Sequence, residues 1–308
     1  MPFFSIIIPL YNKETFIENT LKSVLNQRFI DFEVIIVNDG STDASEEKVN
    51  QFKDARIRYF LKKNEGVSIA RNFGIENANA QYITFIDADD YWYPEFLTTM
   101  FHTIELFPEQ KIFSAAIEIE TEKKVIPAQY SISKTGDCQV VNYFDASLKE
   151  SVIWTSCVTI HKSVFEKTGV FDSKIKIAED TDLWIRVGLN FPVVFTWKIL
   201  ARYVFDEKSV SRDQKYIFEE SSFFKYAALE KEHNALKKFL DLNRFSAAIK
   251  CKLINDKVNF KKLYSEIDIK SLNFRKRTLL ILPSLVLKNL IKLKLFLAHL
   301  GIENSVFR

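Results

Sequence analysis

The chain has 308 residues, of which 47% are hydrophobic and 27% are charged, which suits one large domain with an appendage or two domains. Its formal net charge of +3 is too small to indicate a nucleic-acid partner, because such partners select strongly basic surfaces. The charge is uneven, since residues 270–308 carry eight Lys or Arg against Glu303 alone. The basic character therefore belongs to the C-terminal segment.

The cysteines and the N-terminal segment indicate in which cellular compartment the protein is expected. Cys138, Cys157 and Cys251 are widely spaced and show no paired metal-binding spacing, which favours a reducing compartment and indicates no zinc site. Residues 1–9 lack a basic leader, and their apolar run is too short for a signal peptide. We therefore expect a cytoplasmic protein whose N-terminal residues form the first strand.

The N-terminal part of the chain alternates between strand-like and helix-like patterns. Short runs rich in β-branched and aromatic residues predict strands, and apolar residues at helical spacing predict helices between them. The predicted order is a strand at 5–10, a helix at 16–25, a strand at 33–37, a helix ending near 52, a strand at 57–61, a helix at 66–78 and a strand at 82–86. This alternation predicts a parallel sheet with right-handed crossovers.

The strand at residues 82–86 ends in a cluster of carboxylates. Asp87, Asp89 and Asp90 follow it directly, and clustered carboxylates at a strand end need a divalent cation, a donor-rich ligand or an arginine to offset their repulsion. Oxygen ligands of this kind suit Mg²⁺ or Mn²⁺, usually shared with substrate phosphates. The alternative is a polar turn that caps a helix beginning near Pro94.

Polar residues also follow the other predicted strands. Tyr11 and Asn12 come after the first strand, and Asp39 comes after the second. Since ligands bind beyond the carboxyl ends of the strands in such sheets, we expect these residues to lie near the aspartates that follow the fourth strand. The chain has neither a Gly-x-Gly-x-x-Gly nor a P-loop pattern, so the residues support neither dinucleotide binding nor P-loop chemistry.

The helix predicted at 66–78 carries small residues and one arginine. Ala70 and Gly74 lie four residues apart on one face, which permits close approach of the backbone to the sheet or to a ligand. Arg71 could pair with an aspartate or a phosphate, or could form an ordinary surface salt bridge. The residues alone leave these alternatives open.

Four motifs in this order resemble those of the family 2 glycosyltransferases, which have the GT-A fold. They are Ser5-Ile-Ile-Ile-Pro-Leu-Tyr-Asn-Lys-Glu14, Val37-Asn-Asp-Gly-Ser-Thr-Asp43, Asn64-Glu-Gly66 with Ala70-Arg-Asn-Phe-Gly74, and Phe85-Ile-Asp-Ala-Asp-Asp90. The resemblance implies an α/β GT-A catalytic domain at residues 1–212, with a Rossmann-like nucleotide-binding half and a mixed sheet. A helical C-terminal region at 213–308 would follow it.

The resemblance also implies roles for individual residues. Pro9, Tyr11 and Glu14 would belong to the loop that closes over the nucleoside, and Asp39 would recognise the nucleotide base. Arg71 would contact the nucleotide. Asp87 would lie near the ribose or the metal, and Asp89 would bind the metal. The implied cofactor is Mn²⁺ or Mg²⁺. The implied donor is a nucleotide sugar, with UDP as the favoured nucleotide.

A second acidic pair, Glu179 and Asp180, begins a segment with helical spacing of apolar residues. The residues alone are equally consistent with simple N-capping, which the helix dipole favours. Family members carry a Glu-Asp pair at this point, so the resemblance implies that Asp180 is the general base of inverting sugar transfer. Glu179 and Trp154 are candidate contacts for the sugar or the acceptor.

The region after residue 212 has helical patterns at 216–240, 245–254 and 260–267, which predict a small bundle. Residues 273–300 combine basic residues with leucines, and the uncharged stretch 278–287 is too short to span a bilayer, which takes about 20 residues. This composition suits an interfacial helix on an anionic membrane. A helix that covers the catalytic domain is the alternative.

Together these observations predict a metal-dependent, inverting enzyme that moves one sugar to a glycan or lipid-linked acceptor in bacterial cell-surface polysaccharide or lipopolysaccharide biosynthesis. Leu183-Trp-Ile-Arg186 does not match the Gln-x-x-Arg-Trp motif of processive synthases. The alternatives are a non-catalytic nucleotide- or glycan-binding module on the same fold and a sugar-phosphate nucleotidyltransferase. The latter needs a Gly-rich phosphate loop, which the residues after the first strand do not provide.

Overall fold

The computed structural model describes residues 1–121, 124–204 and 223–299, with side chains described through residue 292. The chain divides into two compact units, Met1–Ser209 and Val210–Arg308. The domain border predicted between residues 212 and 213 lies outside the described residues, so its position stays a prediction.

The described part of the first unit contains one mixed sheet of ten strands. The strands are β1 (Phe4–Leu10), β2 (Phe32–Asn38), β3 (Ile57–Leu61), β4 (Tyr82–Phe85), β5 (Tyr91–Trp92), β6 (Ile112–Glu120), β7 (Val125–Pro127), β8 (Cys138–Val141), β9 (Val158–His161) and β10 (Val193–Val204). Their spatial order is β3-β2-β1-β4-β9-β6-β10-β5, with β7 added beside β6 and β8 beside β10.

Strands β1 to β4 form the parallel part of this sheet. β1 pairs in parallel with β2 and β4, and β2 pairs in parallel with β3. Every residue of β1 and β2 is buried, as expected for parallel strands covered on both faces. The parallel sheet predicted from the alternation of strands and helices is confirmed.

The rest of the sheet is mixed. β9 runs antiparallel to both β4 and β6, whereas β6 and β10 pair in parallel along most of their length. β9 begins only at Val158, because the backbone N–H of Cys157 donates to the carbonyl of Trp154 at 2.8 Å and closes a 3₁₀ turn over Thr155–Cys157 just before it. This turn shapes the segment that lies beside the end of β4.

Seven helices lie in the described part of the first unit. They are α1 (Ile17–Leu25), α2 (Ser45–Asn50), α3 (Val67–Asn77), α4 (Phe96–Leu106), α5 (Tyr143–Ala146), α6 (Val164–Thr168) and α7 (Glu179–Gly188). Helix α3 packs very closely on β1, since a Cβ atom at Gly74 would lie 2.4 Å from Cγ2 of Ile7. Ala70, one turn earlier, is fully buried, which confirms the close approach predicted from these two small residues.

All the regular secondary structure in the described part of the second unit is helical. Its helices are α8 (Asn234–Leu253), α9 (Lys257–Glu266), α10 (Phe274–Ile281) and α11 (Ser284–His299). Buried residues of α8 form a core with Leu263 and Leu280. None of the helices in the described part of the chain is both long enough and apolar enough to cross a membrane.

Two predicted helices of this unit need correction. The helix predicted at 216–240 begins outside the described residues, and its described part starts only at Asn234, after two short 3₁₀ turns. It also continues without a break through the helix predicted at 245–254. Asp241, which lies between these two predicted helices, is fully buried and pairs with Lys237 one turn away at 2.5 Å.

Candidate active site

Hydrogen bonds join the loops that follow β1 and β2 at the carboxyl edge of the sheet. The backbone N–H of Asp39 donates to the carbonyl of Leu10 at 2.8 Å. The N–H of Asn12 donates to Oγ of Ser41 at 3.1 Å, and Oδ1 of Asn12 accepts the N–H of Thr42 at 2.7 Å. Asn12 has φ of +50°, a left-handed conformation that asparagine adopts more readily than most residues.

The three residues assigned to closure over the nucleoside differ in their surroundings. Pro9 is buried within β1, whereas the side chain of Tyr11 is 44% exposed and accessible to a ligand. Glu14 accepts the backbone N–H of Ala44 through Oε2 at 2.8 Å. Because Ala44 directly precedes α2, Glu14 ties the loop after β1 to the start of that helix.

Asp39 is buried at the end of β2 and holds the loop that leads into α3. Its two carboxylate oxygens accept the backbone N–H groups of Glu65 and Gly66 at 3.0 and 2.8 Å. Gly66 has φ of +101°, a conformation that side chains rarely allow. A carboxylate offers about four lone-pair sites, so these two contacts leave acceptor capacity at Asp39 for the predicted contact with a nucleotide base.

Asp87 and Asp89 at the end of β4 are each paired with a basic side chain. Oδ1 of Asp87 lies 2.7 Å from Nη2 of Arg71, and Oδ2 of Asp89 lies 2.6 Å from Nζ of Lys13. Burial raises the pKa of Asp89, Lys13 opposes that increase, and the neighbouring Asp87 adds to it. The two aspartates of the motif therefore lie together at the edge of the sheet, each balanced by a cation.

Asp90 has a different role from its two neighbours. It is 1% exposed, and its carboxylate accepts the hydroxyl of Ser156 and, at 3.0 Å, the backbone N–H of Val204. Burial, with Asp89 and Asp87 adding to it, raises the pKa of Asp90 well above its ordinary value. Asp90 thus joins the end of β4 to the end of β10. The capping alternative is wrong, since Glu95 is the residue at the start of α4 and no side chain caps that helix.

Arg71 connects the end of β4 with the start of α7. Its guanidinium donates to Asp87 at 2.7 Å and to Glu179 at 2.8 Å, and it lies 5.1 Å from the ring centroid of Phe171. The residue is 4% exposed, so the interpretation as a surface salt bridge is wrong. Burial by itself would lower the pKa of Arg71, but Asp87 and Glu179 raise it, and the side chain stays charged.

Glu179 and Asp180 begin α7 after a residue in an unusual conformation. Ala178 has φ of +63°, which costs a non-glycine residue roughly 1–2 kcal/mol. Burial and the adjacent Asp180 raise the pKa of Glu179 to about 7, while Arg71 acts against that increase. Oδ1 of Asp180 accepts the N–H of Thr181 at 2.5 Å. The residue that precedes the helix is Ala178 and no side chain caps it, so the N-capping interpretation is wrong.

Trp154 and Thr155 lie beside Asp180. Oγ1 of Thr155 is 3.5 Å from Oδ2 of Asp180, and this contact brings the segment before β9 next to the start of α7. The ring of Trp154 meets that of Tyr203 edge to face, with 5.1 Å between ring centroids, and both side chains are partly buried. Trp154 directly precedes Thr155 in the chain, and its contact with a sugar stays a prediction.

The carboxylates suit a divalent cation in number and type. Mg²⁺ is commonly held by one or two carboxylates plus substrate phosphates, without a cage made only of protein ligands. Asp89 and Asp87 supply such oxygen donors. In the described ranges no group of three or more His, Cys, Asp or Glu is arranged to hold a metal.

Two residues of the site were missed by sequence reasoning. Ser156 donates its hydroxyl to Asp90 and accepts the backbone N–H of Asp87 at 3.0 Å, although it lies far away in the chain. No local pattern could have indicated this contact. Lys13 stands inside the first motif, and its position between Asn12 and Glu14 was the available signal.

The fold and this arrangement of residues can be compared with known proteins. Residues 5–169, more than half of the chain, match the family model described as Glycosyl transferase family 2. An uncharacterized glycosyltransferase of Rickettsia bellii is 36% identical over 187 residues, which cover 60% of this chain and 26% of that protein. Glycosyltransferase GlyA of Streptococcus pneumoniae is 28% identical over 179 residues, which cover 57% of this chain and 22% of that protein.

The chain thus matches only about a quarter of the length of these two curated relatives. Among solved structures, TarS residues 1–349 of S. aureus in complex with UDP-GlcNAc superposes with a TM-score of 0.67 at 18% sequence identity. The match covers 91% of this chain and 84% of that chain. At this identity the likeness concerns the fold, and the predicted GT-A architecture with C-terminal helices is confirmed.

Proposed function

The chain belongs to glycosyltransferase family 2, and we propose that it transfers a single sugar from a nucleotide-sugar donor to a glycan or lipid-linked acceptor with inversion at the anomeric carbon. The favoured donor is linked to UDP, because TarS of S. aureus, which has a similar fold, was solved in complex with UDP-GlcNAc. The proposed setting is bacterial cell-surface polysaccharide or lipopolysaccharide synthesis on the cytoplasmic side of the membrane, in keeping with three free cysteines.

One observation carries this proposal. The guanidinium of Arg71 contacts Asp87 at 2.7 Å and Glu179 at 2.8 Å, which brings the carboxylates after β4 and the acidic pair of α7 into one site. A transferase of this kind needs both groups close together, since one binds the departing diphosphate and the other activates the acceptor.

The chemistry assigns a task to each side of the site. An acceptor hydroxyl is a poor nucleophile and needs a carboxylate within hydrogen-bond reach as it attacks the anomeric carbon, which develops oxocarbenium character. Asp180 would take that proton. Oδ1 of Asp180 is held by the N–H of Thr181, which fixes the orientation of the carboxylate. A single displacement with the base opposite the leaving group inverts the configuration and needs no covalent intermediate.

Mn²⁺ or Mg²⁺ is the proposed cofactor, with Asp89 as its ligand and Asp87 beside it. A divalent cation at this position would supply electrostatic stabilisation for the charge that builds up on the departing nucleoside diphosphate. Tyr11, which is 44% exposed, and Asp39 are the proposed contacts for the nucleoside base. Pro9 and Glu14 are proposed to shape the loop that closes over it.

Calorimetric titration with a panel of nucleoside diphosphates, with and without Mn²⁺, tests the donor side. We expect one nucleotide, UDP, to bind in the presence of Mn²⁺, and we expect Asp89→Asn to abolish the metal-dependent part. Asp137→Asn is the matched control, because the Asp137 side chain is fully exposed on the surface of the same unit. Absence of binding by every nucleotide, with and without metal, would contradict the proposal.

A non-catalytic module that binds nucleotides or glycans is the second candidate function. The presence of Asp180 argues against it, since a binding module has no evident use for an activating base. Hydrolysis of UDP-sugars or transfer to an added acceptor separates the two functions. The binding module would be supported if the unmodified protein bound UDP tightly but turned over UDP-sugars no faster than its Asp180→Asn variant does.

Peripheral contact between residues 273–300 and an anionic membrane is also proposed. Three large apolar side chains of this segment, Phe274, Ile281 and Leu285, are 82%, 78% and 71% exposed. Basic residues, among them Arg275, accompany them in the same segment. Apolar side chains beside basic ones suit the headgroup region of an anionic bilayer.

Vesicle co-sedimentation tests the membrane contact. Binding to vesicles that contain phosphatidylglycerol is expected to exceed binding to phosphatidylcholine vesicles and to weaken with salt. Replacing both Phe274 and Ile281 by Ser is expected to reduce binding. Val258→Ser is the control, since Val258 is 78% exposed in the same unit but lies outside the segment. Equal binding by the double variant and the control would contradict this contact.

A further inference from the structure

The position that faces Asp89 is held by an ammonium group of the chain itself. Nζ of Lys13 lies 2.6 Å from Oδ2 of Asp89, and the two side chains are only 21% and 16% exposed. Asp89 is also the carboxylate proposed above to bind the divalent cation. Lys13 and the cation would therefore claim the same oxygen.

The contact arises from a firmly held backbone and a flexible side chain. The backbone N–H of Lys13 donates to Oγ of Ser45 at 2.9 Å, and its neighbours Asn12 and Glu14 are hydrogen-bonded to the loop after β2. A lysine side chain has four methylene groups and ends in a compact, mobile charge. The ammonium can therefore leave Asp89 by rotation of the side chain alone, without movement of the loop.

Asp89 needs a positive partner whenever no ligand is bound. It shares a short turn with Asp87 and the buried Asp90, and unpaired carboxylates in such a setting lose hydration and repel one another. A lysine that pairs with Asp89 removes this penalty in the protein without nucleotide. The same pairing must be broken before a metal can coordinate that oxygen.

Arg71 provides the contrast that singles out Lys13. Arg71 is 4% exposed and is bound to carboxylates on both sides, Asp87 and Glu179. Removing it would leave two carboxylates without their shared partner, which is strongly unfavourable. Of these two cations, Lys13 is the more exposed and the one that ends in a single mobile charge, so its contact with Asp89 is open to exchange.

We propose that Lys13 is the resident counter-cation of Asp89, and that a divalent cation displaces it only when the cation arrives with a nucleoside diphosphate. The proposal rests on the proposed function. Lys13 lowers the affinity of the nucleotide-free protein for the metal, and the released ammonium pairs with the anionic diphosphate. Metal and nucleotide consequently strengthen each other's binding, and this coupling is reciprocal.

Mn²⁺ binding to the protein without nucleotide is the direct test, with unbound Mn²⁺ measured by electron paramagnetic resonance. Lys13→Met keeps the length of the side chain and removes its charge, and we expect it to bind Mn²⁺ about tenfold more tightly or better, as loss of a competing ion pair implies. The ratio of Mn²⁺ affinities with and without UDP is expected to fall by a similar factor. Lys13→Arg keeps the charge and is expected to keep the weak affinity of the unmodified protein.

Two control variants restrict the interpretation. Lys22, in α1, pairs with Glu18 at the same distance of 2.6 Å but takes no part in the carboxylate cluster. Lys22→Met is therefore expected to leave the affinity for Mn²⁺ unchanged. The double variant Lys13→Met with Asp89→Asn is expected to lose the increase in Mn²⁺ affinity that Lys13→Met shows alone. Circular dichroism spectra identify any variant that fails to fold.

An affinity for Mn²⁺ in Lys13→Met no higher than in the unmodified protein would overturn the proposal, as would a gain that persists in the double variant. Either result is distinct from a failure of the proposed function. If the unmodified protein binds UDP with Mn²⁺ and Lys13→Met shows no gain, only the role of Lys13 is wrong. If no nucleotide binds to the unmodified protein, the proposed function fails whatever Lys13→Met shows.

Discussion

The loop after β2 and the turn after β4 place aspartates at the same edge of the sheet but satisfy them in different ways. Asp39, after β2, accepts two backbone N–H groups. Asp87 and Asp89, after β4, pair with the side-chain cations of Arg71 and Lys13. Backbone donors are fixed by the fold and Arg71 is held by carboxylates on both sides, whereas the mobile side chain of Lys13 can give way to another cation. The carboxylates of one site are therefore of two kinds, those that hold loops in place and those that can exchange their partner.

The largest expected effect concerns Asp180, whose Oδ2 lies 3.5 Å from the hydroxyl of Thr155, a long contact that an acceptor hydroxyl can replace. Asp180→Asn should lower the rate of sugar transfer about 10²–10⁴-fold, the usual contribution of a general base. Binding of UDP with Mn²⁺ should remain within a factor of about two or three, because a residue that activates the acceptor would not need to contact the nucleotide. Turnover and calorimetry on the same preparations give both values. A variant with nearly full turnover would show that Asp180 is not the base.

Arg71→Met should break the link between the two regions that carry acidic residues. It leaves Asp87 and Glu179 without their shared cation, and loss of one partner of a buried pair typically costs about 3–5 kcal/mol in the free energy of unfolding. Urea unfolding followed by circular dichroism measures this loss. Arg56→Met is the control, because Arg56 pairs with Asp54 in a more exposed setting and should cost less than about 1 kcal/mol through the lost ion pair. Equal losses would contradict the importance of the bridge.

Asp39→Ala and Asp89→Ala sharpen the comparison directly. Asp39→Ala leaves two backbone N–H groups near Gly66 without their acceptor and should lower the free energy of unfolding by about 2–4 kcal/mol. Asp89→Ala frees a lysine that can turn towards solvent and also removes a carboxylate that Asp87 and Asp90 repel, so it should lower the free energy of unfolding by no more than about 1 kcal/mol. Urea unfolding of both variants gives the difference. The distinction between fixed and exchangeable carboxylates is wrong if Asp89→Ala is the more destabilising change.

The smallest effect is a pH dependence of stability that involves Glu179. Its pKa is raised from 4.5 to about 7 by burial and by Asp180, so the folded protein holds this proton more tightly than the unfolded chain. Stability should therefore fall as the pH rises from about 4.5 to 7 and should level off above that range, with a total change of about 1–3 kcal/mol. Unfolding measured at several pH values should show this slope in the unmodified protein and a weaker one in Glu179→Gln.

The parallel part of the fold could be predicted from the sequence because its signals are local. Buried surfaces are indicated by the runs of apolar residues in β1 and β2 and by the small residues Ala70 and Gly74 on α3. The mixed part could not, since the pairing of β9 with β4 and β6 joins segments that are distant in the chain. In the second unit, a single helix runs through the positions between two predicted helices, and there the buried Asp241 pairs with Lys237, a contact that the helical patterns did not indicate.

The candidate site shows the same division. Motif residues such as Asp87 and Asp89 could be found because their residue types and spacing carry the chemistry. Their partners could not be assigned, since the bond from Arg71 to Glu179 depends on how α3 and α7 pack. Ser156, which holds the turn after β4 through its hydroxyl, has no signal of its own in the sequence.

The close approach of α3 to the sheet has a consequence for which mutations the protein tolerates. A side chain at Gly74 would collide with Ile7 and push the helix away from β1, and Arg71 lies one turn earlier on that helix. Such a shift would move the guanidinium relative to both of its carboxylates. In a screen of random variants for lost activity, position 74 should therefore be found together with the acidic residues, although glycine has no side chain to contact a substrate.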